Sequence, residues 1–253
     1  MMQCHISESL SGLDFKSRYG LRDYYDSLKT LVIFGMYRDR DMKLYLKHRG
    51  DVVVVWTGSD AYKLNARWAS YMKSRQATHY SISQWISDRL ASFDIESTYA
   101  PISATTGKAN PVPRGNSVYF YTSHSSQESS DHYGEFMIEE IKAKTGLNVI
   151  TATYETYDKV KLNDVYRDCF VNLRLTAFDG LPNTNIEMGL LGRRSIYNGS
   201  IPGSIKWRGV DDICESIMRE YYRRGEDNTS IAEMMDIFVN STNQLFKPKL
   251  TLI

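Results

Sequence analysis

At 253 residues, with 42% hydrophobic and 12% aromatic side chains, the chain can bury one large core or two modest ones, which excludes a disordered polymer. Thirty-one basic residues against thirty acidic ones leave a net charge of +1, so no global field draws it to nucleic acid or membrane, although a local basic patch is allowed. The three cysteines, Cys4, Cys169 and Cys214, are odd in number and far apart, which argues against a disulfide frame or a zinc site; without a secretory leader or an apolar run near the ~20 residues of a membrane span, the expected location is cytoplasmic.

Residues 1–29 have no clear periodicity and predict at most a short helix in RYGLRDYYDSL. Thr30 to Tyr37 (TLVIFGMY) is the first predicted strand, and a charged helix follows over Asp41 to His48. Asp51 to Trp56 (DVVVVW) is nearly all β-branched, as a strand buried on both faces should be, and runs into Thr57-Gly58-Ser59-Asp60. A helix over Ala66 to Arg75, a strand over Thr78 to Ser83, a helix over Gln84 to Phe93 and a strand over Ile95 to Pro101 come next. Ser103 to Asn116 (SATTGKANPVPRGN) is small and rich in Gly and Pro, and reads as the linker between domains 1–105 and 106–253. The second half predicts a strand (Ser117 to Thr122), a helix (His132 to Thr145), a strand (Asn148 to Tyr154), a helix (Val160 to Asp168) and closing helices over Val210 to Arg223 and Ile231 to Phe246.

The densest signal is Cys169 to Gly199. An apolar-rich run over Phe170 to Leu175 predicts a strand; Asp179-Gly180-Leu181-Pro182 supplies a turn; Asn183-Thr184-Asn185 offers capping side chains before an apolar helix closed by Gly192; a second strand spans Ser195 to Tyr197. This βαβ unit puts its turn where parallel sheets bind ligands. Strand and helix alternation in both halves therefore predicts an α/β protein of two Rossmann-like, doubly wound domains facing a cleft. Asp179 and Glu187, eight positions apart, flank a helix N-terminus suited to a diphosphate, and as carboxylates they suit the hydroxyls of a ribose or hexose. The same spacing also fits an ordinary turn residue and a solvated helix face.

Asp179-Gly180-Leu181-Pro182 and Glu187-Met188-Gly189-Leu190-Leu191-Gly192-Arg193, with the strand after them, resemble the signature of retaining GT-B glycosyltransferases (glycosyl transferases group 1 type), roughly E-G-L-P-x-x-x-x-E-A-x-A-x-G-x-P-V. The resemblance implies that Glu187 binds the nucleotide ribose and Asp179 contacts the donor sugar as a catalytic residue. It also implies backbone amides from Gly180 and Leu181, with Asn183 and Thr184 beside them in the donor site. The first acid is Asp where the family has Glu. VVVVWTGSD resembles the strand that ends in an H-G-x-D or W-G-S-D turn, and HYSISQWISDRLASFDIESTYAPI resembles the passage into the second domain. The family's opening strand and glycine-rich loop are not visible ahead of Thr30, which implies a reduced, compact acceptor-side domain of a phage- or virus-like kind.

Other residues are candidates on their own chemistry. Asp60 follows a strand end, as a catalytic group or a helix N-cap. Asp39-Arg40-Asp41 has the D-x-D form of a divalent-metal site, against the metal-independent family expectation. The Ser123 to Tyr133 loop lacks the family's Arg and Lys clamp, leaving Ser123, His124, Ser125 and Ser126 as neutral donors, with Arg174, Arg193 and Arg194 as substitutes; the last two also read as solvated helix-end charges. Tyr154 and Tyr157 are placed to pack on a base. The expectation is a retaining glycosyltransferase that uses a nucleotide-diphosphate sugar, a UDP-sugar, as co-substrate, with no other cofactor, and acts on a carbohydrate hydroxyl. Three alternatives stand beside it: transfer to hydroxymethylated bases in DNA through Arg67, Lys73, Arg75 and Arg89; a non-catalytic nucleotide-sugar-binding protein; and a sugar-nucleotide epimerase.

Overall fold

The computed structural model describes residues 2–122, 127–153, 156–157 and 159–246. The chain divides into two compact units. One holds the described residues up to Thr106, Asp179–Leu181 and those from Val239 on; the other holds Gly107–Phe178 and Pro182–Phe238.

The first unit is built on a parallel sheet of six strands: β1 (Gln3–Ile6), β2 (Arg22–Asp23), β3 (Leu31–Phe34), β4 (Val52–Trp56), β5 (Thr78–Ser81) and β6 (Thr98–Tyr99), in the order β2-β1-β3-β4-β5-β6. Its helices are α1 (Phe15–Tyr19), α2 (Asp39–Lys47), α3 (Ser59–Tyr62), α4 (Ala66–Lys73) and α5 (Gln84–Ala91). Every residue of β3 is at 0% exposure, which is why it reads as an unbroken apolar run: a parallel strand covered on both faces has no solvent side to make polar.

Strand β1 corrects the expectation that no strand precedes Thr30. It lies in register with β3 from Gln3 opposite Leu31 to Ile6 opposite Phe34, and a loop through Gly12 follows it. Its sequence hides it because two of its residues are polar and satisfied from elsewhere in the chain. The buried Gln3 amide accepts from the backbone of Tyr25 and Asp26 and donates to the carbonyls of Asp26 and Lys29. His5 Nε2 meets Asp41 Oδ1 at 2.7 Å. Asp41, the second acid of D-x-D, is buried, with its other oxygen accepting from Ser7 Oγ and from the amides of Tyr37 and Arg38.

The second unit carries a five-stranded parallel sheet, β7 (Ser117–Tyr121), β8 (Val149–Ala152), β9 (Cys169–Arg174), β10 (Arg194–Tyr197) and β11 (Ser204–Ile205), ordered β11-β10-β9-β7-β8. Its helices are α6 (Gln127–Tyr133), α7 (Ile138–Thr145), α8 (Lys159–Asp168), α9 (Asn183–Leu190), α10 (Val210–Tyr222) and α11 (Thr229–Asn240). The helix predicted over His132 to Thr145 is broken at Gly134, whose φ of +75° places a hypothetical Cβ 2.8 Å from Leu175 Cβ; a short 3₁₀ turn at Glu135–Met137 intervenes before α7. The last predicted helix stops at Asn240, six residues early, and the chain then enters the first unit's core, where Phe246 packs edge-on against Tyr19 and Phe34 at 5.2 and 6.0 Å.

Arg193 is the second correction. It is 1% exposed, not solvated, and its guanidinium donates to the carbonyls of Cys169, Val112, Leu191, Pro113 and Arg167. A buried guanidinium is tolerated because its five N–H groups find acceptors; burial brings its pKa down to about 10. The residue thus fastens the predicted linker to the start of β9. No helix among the described residues is long and apolar enough to cross a membrane.

Candidate functional site

In the first unit, the turn Asp179–Leu181 is seated on the loop that follows β4. A Cβ on Gly180 would lie 2.6 Å from the carbonyl oxygen of Thr57, so only glycine brings the two backbones this close. Ser83 Oγ donates to the Asp179 carbonyl at 3.0 Å, and the Leu181 side chain packs against the first unit's core. The half-buried Asp179 carboxylate accepts from Gly180 N at 2.7 Å.

Asp60 shapes the loop beneath. It is fully buried, and its two oxygens accept from four backbone amides: Met36 at 3.1 Å, Thr57 at 3.1 and 3.2 Å, Gly58 at 2.8 Å and Ala61 at 2.9 Å. Burial raises its pKa against the pull of those donors. Tyr37 closes this side with a 3.0 Å contact between its hydroxyl and Thr57 Oγ1; burial, then the charges of Asp60 and Asp179, keep its phenol protonated well above the ordinary range.

In the second unit, α9 begins directly after Pro182, and no side chain caps it, which differs from the capping expected of Asn183-Thr184-Asn185. Proline fixes the backbone at the entry but has no side-chain acceptor for the first amides. Thr184 Oγ1 leans toward Asn185 Oδ1 at 3.5 Å, and Asn185 is drawn inward to accept from Asn172 Nδ2 at 2.6 Å.

Glu187 stands one turn into α9, half-buried, and accepts from Tyr166 Oη at 2.9 Å. The next residue, Met188, joins Tyr119, Tyr166 and Cys169 in a small buried cluster that fixes the helix against β7, α8 and β9. Arg174 ends β9 at 8% exposure, its guanidinium 5.1 Å from the centre of the Tyr121 ring and 4.7 Å from that of Tyr133. Ser123 and Tyr154 lie outside the described residues. The first unit thus gathers Asp179, Gly180 and Leu181 over Asp60, and the second holds Asn183, Thr184 and Glu187 on one helix, with Arg174 at a strand end.

Tyr166, Tyr121 and Tyr133 carry no motif and were not anticipated. A signal for Tyr166 exists: Leu162, Val165, Tyr166 and Cys169 follow helical spacing, and a tyrosine on an apolar stripe needs a partner for its hydroxyl.

Two α/β units, each built on a parallel sheet, make up the architecture of the GT-B fold. Among solved structures, the chain is similar to an S. aureus TarM variant in complex with fondaparinux, α-GlcNAc-glycerol and UDP, with a TM-score of 0.54 at 13% identity over 88% of this chain and 53% of that one. A sucrose-phosphate synthase from Thermosynechococcus elongatus aligns with a TM-score of 0.53 at 10% identity, over 91% of this chain and 71% of that one. The pneumococcal O-GlcNAc transferase GtfA, in complex with UDP and GlcNAc, aligns with a TM-score of 0.52 at 9% identity, over 85% of this chain and 54% of that one. The chain therefore spans about half the length of TarM and GtfA. No family model and no curated protein matches the sequence.

Proposed function

We propose that the protein is a glycosyltransferase that takes a sugar from a nucleotide-diphosphate sugar, a UDP-sugar, and passes it to the hydroxyl of a carbohydrate acceptor with retention, without a metal ion, in the cytoplasm. The observation that carries this is Glu187, a half-buried carboxylate held by a buried tyrosine one turn into a helix whose N-terminus has no side-chain cap.

Each group then has a task. The uncapped amides of α9 and its dipole face the charge that grows on the departing diphosphate, which is electrostatic stabilisation by groups that need no reorganisation. Arg174 adds a permanent cation at the end of β9, in the role that the family gives to its missing Arg and Lys. Glu187 takes the ribose hydroxyls. Asp179 takes hydroxyls of the transferred sugar, and the Gly180 and Leu181 amides lie beside it. Asp60 works through the backbone: with both oxygens occupied by amides, it positions Thr57 and thereby the seat of Gly180. Holding donor and acceptor together supplies much of the remaining rate.

The test is a thermal-shift panel of UDP, GDP, ADP and their glucose and N-acetylglucosamine conjugates, followed by product analysis with and without a carbohydrate acceptor. Stabilisation by one nucleotide family and acceptor-dependent release of its diphosphate support the reading. No shift with any of them overturns it, and conversion of the sugar in the absence of an acceptor replaces it with epimerisation.

A further inference from the structure

The hydroxyl of Tyr166 has an unusual target for a residue at 1% exposure in the last turn of a helix. It points at a carboxylate, donating to Glu187 Oε2 at 2.9 Å. Behind it the Tyr119 ring packs edge-on at 5.1 Å, also at 1% exposure, so side chains from β7 and α8 stand behind the bond to Glu187 on α9.

Two phenylalanines would fill the same space. A buried hydroxyl costs free energy unless it is satisfied, so the Tyr166 hydroxyl aimed at a carboxylate contributes something that packing does not need. Burial, and after it the charge of Glu187, push the Tyr166 phenol far above the ordinary tyrosine range, so it remains a proton donor at every working pH. A glutamate has three side-chain torsions, the last broad and weakly hindered. An O–H donor fixed on one carboxylate oxygen sets that last torsion and with it the direction in which the group presents its lone pairs. Met188, buried in the cluster that contains both tyrosines, prevents α9 from turning to undo the arrangement.

We propose that Tyr166, backed by Tyr119, is a positioning residue that locks the Glu187 carboxylate against the donor's ribose and so makes this protein selective for ribonucleotide over deoxyribonucleotide donors. The inference rests on Glu187 being the ribose ligand.

Calorimetric titration of the full chain with UDP, 2′-deoxy-UDP and 3′-deoxy-UDP tests both statements separately, using the wild type, Tyr166→Phe, Tyr119→Phe and Glu187→Gln. The wild type binds UDP more tightly than at least one deoxy analogue, and Glu187→Gln brings the two within about twofold of each other. Tyr166→Phe weakens UDP by roughly fivefold to tenfold, the range for one lost hydrogen bond in a charged network, and leaves the deoxy analogue unchanged. Equal weakening of UDP and its deoxy analogue in Tyr166→Phe, or no weakening of either, assigns the tyrosine to packing and overturns the proposal while Glu187 keeps its role. An unchanged ratio in Glu187→Gln instead removes the ribose assignment itself. Tyr119→Phe, which leaves the bond from Tyr166 to Glu187 in place, is the control and keeps the wild-type ratio. If Tyr166→Phe does not fold, Tyr166→Met removes the same hydroxyl, and an unmoved ratio there overturns the proposal.

Discussion

The indole nitrogen of Trp56 donates to Nδ1 of His79 at 3.2 Å, across neighbouring strands, with both residues buried. Such a bond requires the neutral imidazole with its proton on Nε2. Burial agrees, lowering the His79 pKa from 6.5 to about 4.

Unfolded chains take up a proton at His79 as the pH falls through 6.5, whereas the folded state takes it up only near 4, so stability is lost progressively between those values and levels off below. At most about 3 kcal/mol is involved. Urea unfolding at pH 7 and pH 5 checks this, with His79→Gln, which keeps an acceptor for Trp56, expected to flatten the difference.

Gly180→Ala drives a methyl group against the Thr57 carbonyl at 2.6 Å, a backbone atom that cannot swing aside. A loss of about 1–3 kcal/mol is expected, together with a drop in turnover. Gly12→Ala, where nothing lies within 4 Å of the new carbon, is the control and should leave the melting temperature unmoved.

Arg193→Met keeps much of the side chain's length and takes the donor away from five carbonyls, one buried and four part-buried. The expected cost is about 3 kcal/mol or more, read as a lower urea midpoint. Arg208→Gln breaks an ion pair with Asp212 at 2.9 Å, but with the arginine side chain 91% exposed, and should leave the urea midpoint unmoved.

The Arg174 guanidinium lies over both Tyr121 and Tyr133, two rings packed edge-on against each other, and its spread of charge reaches the two at once as a point-like ammonium does not. Arg174→Lys should therefore fail to restore UDP affinity, leaving it about tenfold weaker than wild type, close to Arg174→Gln. Full recovery with lysine would show that charge alone is needed there.

Turnover should persist in excess EDTA. Among the described residues no three His, Cys, Asp or Glu side chains cluster to hold an ion, and Asp41 of the D-x-D has both oxygens occupied. Loss of activity that Mn²⁺ or Mg²⁺ restores would return Asp39 and Asp41 to the site.

How far the sequence reaches depends on where a residue finds its partners. Strands β3 and β4 are legible because their apolar residues are contiguous, and the β9, α9, β10 unit is legible because strand, turn and helix signals fall within thirty-one residues, Cys169 to Gly199. Gln3 and His5 conceal β1 because the groups that satisfy them sit at residues 25–29 and 41. Arg193 looks like a solvated charge for the same reason: two of its acceptors, Val112 and Pro113, lie some eighty residues upstream. Of the candidate site, Asp179, Gly180 and Glu187 were readable from one motif. Tyr166 and the aromatic setting of Arg174 come from α8, β7 and α6, which no local pattern ties to that motif.

Phe246, lodged against Tyr19 and Phe34, and Arg18, which reaches the Val239 carbonyl and the Asn243 side chain, bear on biosynthesis. A ribosome makes β1 ahead of the second sheet, but the pieces that complete the core around it emerge only after that sheet has been made. The amino-terminal unit must therefore wait, incompletely closed, while its neighbour is synthesised, and it is during that interval on the ribosome that this chain is most exposed to chaperones and proteases.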